Sequence, residues 1–200
     1  MSSSADGAAS LPARETEGGP PSIRLWRRMG GMLGRFLSDP TFRDKVHFLK
    51  KVYLFHGLSS RDISQVVARL MEKSYGEGEI IFQEGDVGRA CFIVSEGAVE
   101  IFRADPISGR EEQMGVFGPG DFFGEMVLLD ELPRSATART VSATRLHILY
   151  KSHFDVLLAN HGRVALELLH NLARLLSARL RRQNEDFLSR TRGASPLERP

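Results

Sequence analysis

Phe123-Gly124-Glu125-Met126-Val127-Leu128-Leu129-Asp130-Glu131-Leu132-Pro133-Arg134-Ser135-Ala136-Thr137 is the stretch around which the rest of the chain is organised. It reads as a turn, a very short helix, a break and a strand. Gly124 lets the backbone pass close to a neighbour with no Cβ in the way. Glu125 to Leu129 has room for about one and a half turns of helix, and Pro133 stops it from running on. The open start of such a helix offers unpaired N–H groups and the positive end of its dipole, which suits a phosphate. Arg134 then supplies a planar guanidinium able to grip an anion at two points, and Ser135 adds a hydroxyl. Glu125 would repel an anion. Its place here makes sense if it accepts a hydrogen bond from a hydroxyl on the same ligand, such as a ribose 2′-OH. The plainer alternative is that Glu125 and Arg134 neutralise each other as a buried pair.

One anion and one sugar hydroxyl held by a single short stretch describe a compact nucleotide monophosphate. The stretch closely resembles the phosphate-binding cassette of the cyclic-nucleotide-binding domain family. That family's pattern is Phe-Gly-Glu, two or three apolar residues, a short spacer, then Pro-Arg-small-Ala-Thr or Ser, and each part stands in order from Phe123 to Thr137. The resemblance implies a site that includes Phe123 and Ser135. In it Glu125 takes the ribose 2′-OH, Arg134 pairs with the cyclic phosphate, and the backbone at Gly124, Glu125, Met126 and Ala136 completes the cradle. Ile101 and Met114 are the expected apolar contacts of the base. The expected ligand is cAMP, with cGMP the alternative. Relatives that prefer cGMP often place threonine directly after the arginine, and the Ser135 found here does not decide the matter. No cofactor is expected beyond the ligand.

Around this stretch, from about Glu72 to Tyr150, short apolar clusters are separated by glycines. Ile80-Ile81-Phe82, Phe92-Ile93-Val94, Val99-Glu100-Ile101-Phe102 and Arg145-Leu146-His147-Ile148-Leu149 are rich in β-branched and aromatic residues, which predicts many short strands. Gly85-Asp86-x-Gly88 and Glu96-Gly97 are tight-turn signals. The spacing from Ile80 through Gly85, Gly88, Phe92, Val94 and Gly97 to Val99 again resembles the front half of the family. Ahead of it lie a helix over Phe42–Val52 and another capped by Ser59 or Ser60, with Ile63, Val66, Val67 and Leu70 as its buried stripe. After it, strands over about Thr137–Ser142 and Thr144–Tyr150 precede a helix from His153 with Ser152 as its cap. Gly162 then breaks the chain before a long helix from Arg163 to about Phe187. Its apolar set is Val164, Leu166, Leu168, Leu169, Leu172, Leu175, Leu176 and Leu180, a broad stripe. In the family this helix swings over the bound base, which makes Asn171, Arg174 and Ser177 candidates for the base edge. Arg179, Arg181 and Arg182 read instead as solvated cations favoured by the helix C-terminus. The expected fold is therefore α+β: an antiparallel, jelly-roll-like β-roll of about eight strands with N-terminal helices and a long C-terminal helix.

The ends and the composition set the remaining expectations. Residues 1–22 are rich in Ser, Ala, Gly and Pro and read as disordered. Residues 23–40 form a basic amphipathic helix, with Leu25, Met29, Met32, Leu33 and Phe36 at helical spacing beside Arg24, Arg27, Arg28 and Arg35. It could pack on its own domain, touch a membrane surface through residues 23–37, or dock on a partner. Arg27-Arg28-Met29-Gly30 resembles the Arg-Arg-x-Gly inhibitor site of kinase regulatory subunits. Those subunits usually carry a hydrophobic residue next, where Gly31 stands, and two nucleotide domains, where residues 41–188 hold one. Residues 189–200 are a tail. A net charge of +2 on a chain of 26% charged residues makes no demand for nucleic acid. Too few residues follow the long helix for a helix-turn-helix reader, so a separate protein effector is expected, with the oligomeric state open. Cys91, the single cysteine, excludes an internal disulfide, sits in an apolar run and reads as a buried thiol, with a cytoplasmic address as the default. No apolar run approaches the ~20 residues of a membrane span. No nucleophile–base pair or metal spacing stands out, His56, His147 and His153 included, so no enzyme is expected.

Overall fold

The computed structural model describes residues 40–193 apart from 106 and 131, with the backbone alone at 186, 187 and 189–193. The tail 1–22, the basic segment 23–37 and its Arg27-Arg28-Met29-Gly30 motif lie outside the described residues. From Thr41 on, the described residues belong to one compact unit.

Helix α1 (Pro40–Leu49) opens on a proline, whose missing N–H is no loss in a first turn. It is shorter than the expected Phe42–Val52, because a 3₁₀ turn over Tyr53–Phe55 follows with Val52 as its cap. Val52, Leu54 and Phe55 are nonetheless fully buried. Of the two candidate caps for α2 (Ser60–Val67), Ser59 is the one used. Its hydroxyl accepts the Asp62 N–H at 3.2 Å, and the Asp62 carboxylate accepts the Ser59 N–H at 3.1 Å. Two otherwise unpaired donors are thus satisfied reciprocally.

Among the described residues eight strands follow: β1 (Met71–Tyr75), β2 (Ile80–Phe82), β3 (Ala90–Glu96), β4 (Val99–Ala104), β5 (Glu111–Phe117), β6 (Phe122–Phe123), β7 (Thr137–Thr140) and β8 (Thr144–Tyr150). They pair antiparallel in two four-stranded sheets of order β1-β8-β3-β6 and β2-β7-β4-β5. Two cores result. Inside the roll, Ala90, Phe92 and Val94 of β3 meet Val99, Phe123, Ala138, Leu146 and Ile148. On the other face of the first sheet, Cys91 and Ile93 pack with Leu149 against the helices, through Phe154, Leu168 and Leu172 among others. From Ala90 to Val94 strand β3 is buried on both faces, which is why that part of its sequence is an unbroken apolar run rather than an alternating one. The Cys91 thiol is fully buried there, and burial pushes its pKa up, so it stays protonated and inert. His147 on β8 also faces the helical side, 5.7 Å from the Phe48 ring. Its Nδ1 has no hydrogen-bond partner, and burial pushes its pKa down.

Helix α3 (Lys151–Asn160) starts directly out of β8 with Tyr150 at its cap position and no capping side chain, so Ser152 lies inside the helix rather than ahead of it. Helix α4 (Gly162–Gly193) runs past its expected end near Phe187. Val164, Leu168 and Leu172 are buried, but Leu166 is 68% and Leu180 58% exposed, so the buried stripe is narrower than the apolar set suggests. The architecture is the expected α+β β-roll with flanking helices. Among the described residues no helix is long and apolar enough to cross a membrane.

Candidate functional site

The stretch from Phe123 to Thr137 closes one side of a cleft of about 230 Å³. Phe123 ends β6 inside the roll, and Gly124 turns the chain with φ +66°. A Cβ on Gly124 would fall 2.7 Å from Nη1 of Arg134, so the neighbour that glycine admits is the guanidinium itself. Glu125–Leu128 then form a single 3₁₀ turn, shorter and tighter than the one and a half α-helical turns expected. Glu125 is 3% exposed, with Val127 and Leu128 buried beside it, while Met126 faces outward.

Arg134 is fixed from both sides. Its backbone N–H donates to Asp86 O and its carbonyl accepts from the Gly85 N–H, each at 2.8 Å, so the Gly85-Asp86 turn clamps it in place. The half-buried side chain donates from Nη1 to Gly124 O at 3.0 Å and from Nη2 to Ala90 O at 2.6 Å. Its guanidinium lies 4.2 Å from the Phe82 ring centroid and 5.5 Å from that of Phe92. Burial pushes its pKa down, a shift that the neighbouring Asp86 and Glu125 oppose, and an arginine so placed remains a cation at neutral pH.

Glu125 does not pair with Arg134. Its Oε1 accepts a hydrogen bond from Nη1 of Arg179, which reaches down from α4. That overturns the reading of Arg179 as a solvated end-of-helix cation. Arg179 stands eleven positions after Leu168, in the series Leu168, Leu172, Leu175, Arg179 that returns to the roll-facing side of α4 every three or four residues. Spacing therefore admits it as inward, though not uniquely: Arg182 is next in the same series, and both it and Arg181 are exposed. Asn171 is not available to a ligand: its buried side-chain amide donates to Leu54 O at 3.1 Å and to His56 O at 2.8 Å. Arg174 and Ser177 are exposed and do not line the cleft.

The cleft brings together Phe123, Gly124, Glu125, Met126, Arg134, Ser135 and Ala136 from the cassette and Ile101 from β4, with Phe82, Phe117 and Arg179 around them. Met114 is not among its lining residues. It sits on β5 at the irregularity opposite Ile101 and Phe102, and is 54% exposed. The result is a largely apolar slot whose lining includes the Arg134 cation and the buried Glu125 carboxylate with its Arg179 partner. Its volume falls somewhat below the roughly 300–1,000 Å³ usual for ligand pockets, and Arg179 is among the residues that line it.

Fold and slot together define a β-roll domain whose cleft is lined by cationic and carboxylate side chains. The sequence profile of the Cyclic nucleotide-binding domain matches residues 72–161. The "Cyclic AMP receptor protein" of Thermus thermophilus is 40% identical over 128 residues, covering 64% of this chain and 57% of that protein. A "cAMP-dependent protein kinase regulatory subunit" of Pyricularia oryzae is 30% identical, covering 69% of this chain and 35% of that one. The crystal structure of the N-terminal domain of a transcriptional regulator from Streptomyces coelicolor A3(2) superposes with a TM-score of 0.61 at 32% identity, covering 70% of this chain and 94% of that one. The chain belongs to the cyclic nucleotide-binding domain family. It spans little more than half, or less, of the curated relatives named here, which are a receptor protein and a regulatory subunit.

Proposed function

We propose that the protein is a receptor for a cyclic nucleotide, cAMP in preference to cGMP, that signals to a separate partner protein by repositioning α4. The observation that carries this is the separation of Arg134 and Glu125. The cation is held by backbone carbonyls and two rings, and the carboxylate by a residue of another element, so neither quenches the other across the slot. Arg134 would take the cyclic phosphate together with the N–H groups that open the 3₁₀ turn, and Glu125 the ribose 2′-OH. Ile101, Phe117 and Phe82 would flank the base. Because Arg179 belongs to α4 and touches Glu125, occupancy of the ribose position would be felt by the helix at once.

Calorimetry with cAMP, cGMP and 5′-AMP tests the ligand. Both cyclic nucleotides should bind more tightly than 5′-AMP, cAMP more tightly than cGMP, and equal affinities for all three would end the proposal. Glu125→Gln should weaken cAMP by roughly tenfold, the scale of a lost charged hydrogen bond, yet hardly change the affinity for 2′-deoxy-cAMP. Equal losses for both ligands would remove Glu125 from the ribose. A nucleotide-free interaction scaffold is the second reading, favoured by the fact that Glu125 already has a partner in Arg179. A thermal-shift titration separates the two, since only a receptor gains stability with added cAMP.

A further inference from the structure

A second cleft, of about 470 Å³, opens between β1, β2, β3, β8 and the segment that joins β2 to β3. It meets the cassette cleft at Phe82 and Arg134, which line both. Its volume falls within the roughly 300–1,000 Å³ usual for ligand pockets. The apolar part of its wall is built from residues of the core inside the roll: Tyr75, Phe92 and Ile148 are buried, and Phe82 is half-buried beside them.

The charges on that wall are unbalanced. Lys73, Arg89 and Arg134 line the cleft against a single carboxylate, that of Asp86. One oxygen of this carboxylate accepts the Gln83 N–H at 2.8 Å. Elsewhere on the strands Arg103, Arg139 and Arg145 each reach a carboxylate within 3.3 Å. Lys73, the remaining strand cation, does not: its Nζ lies 4.4 Å from the centroid of the Tyr75 ring. Among the described residues neither Lys73 nor Arg89 forms an ion pair. Cations without a counter-charge, set beside aromatic faces, suit an anion whose body is flat and apolar, because such an ion gains from charge and from burial together.

We infer that this cleft is a second ligand site, for a compact organic anion with a flat apolar body, in which Lys73 and Arg89 take the charged group and the Tyr75 and Phe82 rings flank the body. The charged group is a carboxylate or a phosphate monoester. The site is independent of the nucleotide proposed for the cassette, although the two clefts share a wall.

Amide chemical shifts of the full chain, titrated at constant ionic strength with benzoate, phenyl phosphate and benzamide, test it. At least one of the two anions should shift residues 73–75, 86–92 and 148–150 saturably, and the tighter of them identifies the charged group. Benzamide, of the same shape but neutral, should bind at least about tenfold more weakly than that anion. Lys73 and Arg89 are exposed, so their replacement leaves the core intact. Lys73→Ala and Arg89→Ala should each weaken the anion by roughly tenfold. Arg110→Ala, an exposed cation outside the cleft, should leave the affinity unchanged. No saturable shift with either anion, equal binding of benzamide, or full affinity in both Lys73→Ala and Arg89→Ala would overturn the site. Shifts confined to residues 124–136 would overturn it too, by placing the probe in the cassette. No nucleotide enters these measurements, so a chain that bound no cAMP would sink the receptor and leave this site standing.

Discussion

Arg134→Ala is expected to lower the affinity for cAMP by about 2–5 kcal/mol, tens- to thousands-fold, because a desolvated phosphate would lose its one guanidinium partner in the cleft. The loss should be larger than for any other single change in the cassette. It has two components that can be told apart. The side chain also satisfies the carbonyls of Gly124 and Ala90 and covers the Phe82 ring, so its removal exposes two buried acceptors and loosens the turn. Arg134→Lys keeps the charge but not the planar fork. It should bind cAMP with an affinity between those of alanine and arginine, whereas a purely structural role for Arg134 would make lysine no better than alanine. Affinity for Arg134→Ala within about threefold of wild type would remove Arg134 from the phosphate altogether.

The largest effect on stability is expected at Phe154, which is not among the residues lining the cleft. Its side chain is fully buried in the helical core, in the cluster that joins Cys91 and Leu149 of the first sheet to Leu157, Leu168 and Leu172. Phe154→Ala should cost about 3–5 kcal/mol, a large share of the roughly 5–15 kcal/mol that holds an ordinary domain together. Denaturant unfolding should show the midpoint falling with little change in slope. Leu166→Ala, at a position 68% exposed on the same helical layer, should stay within about 0.5 kcal/mol of the wild type. A Phe154→Ala midpoint as mild as that of Leu166→Ala would show that α3 does not anchor the sheet.

What could be read in the sequence was what depends on local chemistry. The cassette was legible because glycine, proline and arginine each impose a backbone or charge requirement at a fixed place in the chain. The strands were legible because β-branched clusters between glycines have few other uses. The burial of Cys91 also showed, since Ala90 to Val94 has no polar residue to put in water. Long-range choices were not legible. Met114 was expected at the base from its apolar character, but the irregularity between Ile101 and Phe102 shifts the register of β5 and leaves it exposed. Asn171 offered an amide to a ligand, yet the carbonyls of Leu54 and His56, over a hundred residues earlier, claim it. Arg179 was read by its neighbours in sequence, Arg181 and Arg182, when its partner, Glu125, belongs to a distant part of the chain. The cap of α3 was missed for a simpler reason: β8 runs straight into the helix, so no capping turn separates them.

The carbonyl that receives Nη2 of Arg134 belongs to Ala90, and the very next residue, Cys91, already packs among the helices. The distance from the anion's grip to the helical layer is therefore one peptide unit, carried by a strand clamped between two close-packed cores that cannot yield much on either side. Any adjustment of the arginine towards an arriving charge tugs on a stiff lamella rather than on a loop, and the tug emerges on the far face beneath Leu149 and Phe154. If the cleft takes its ligand as proposed, occupancy would have a second way out of the roll, through the wall, besides the one over the rim.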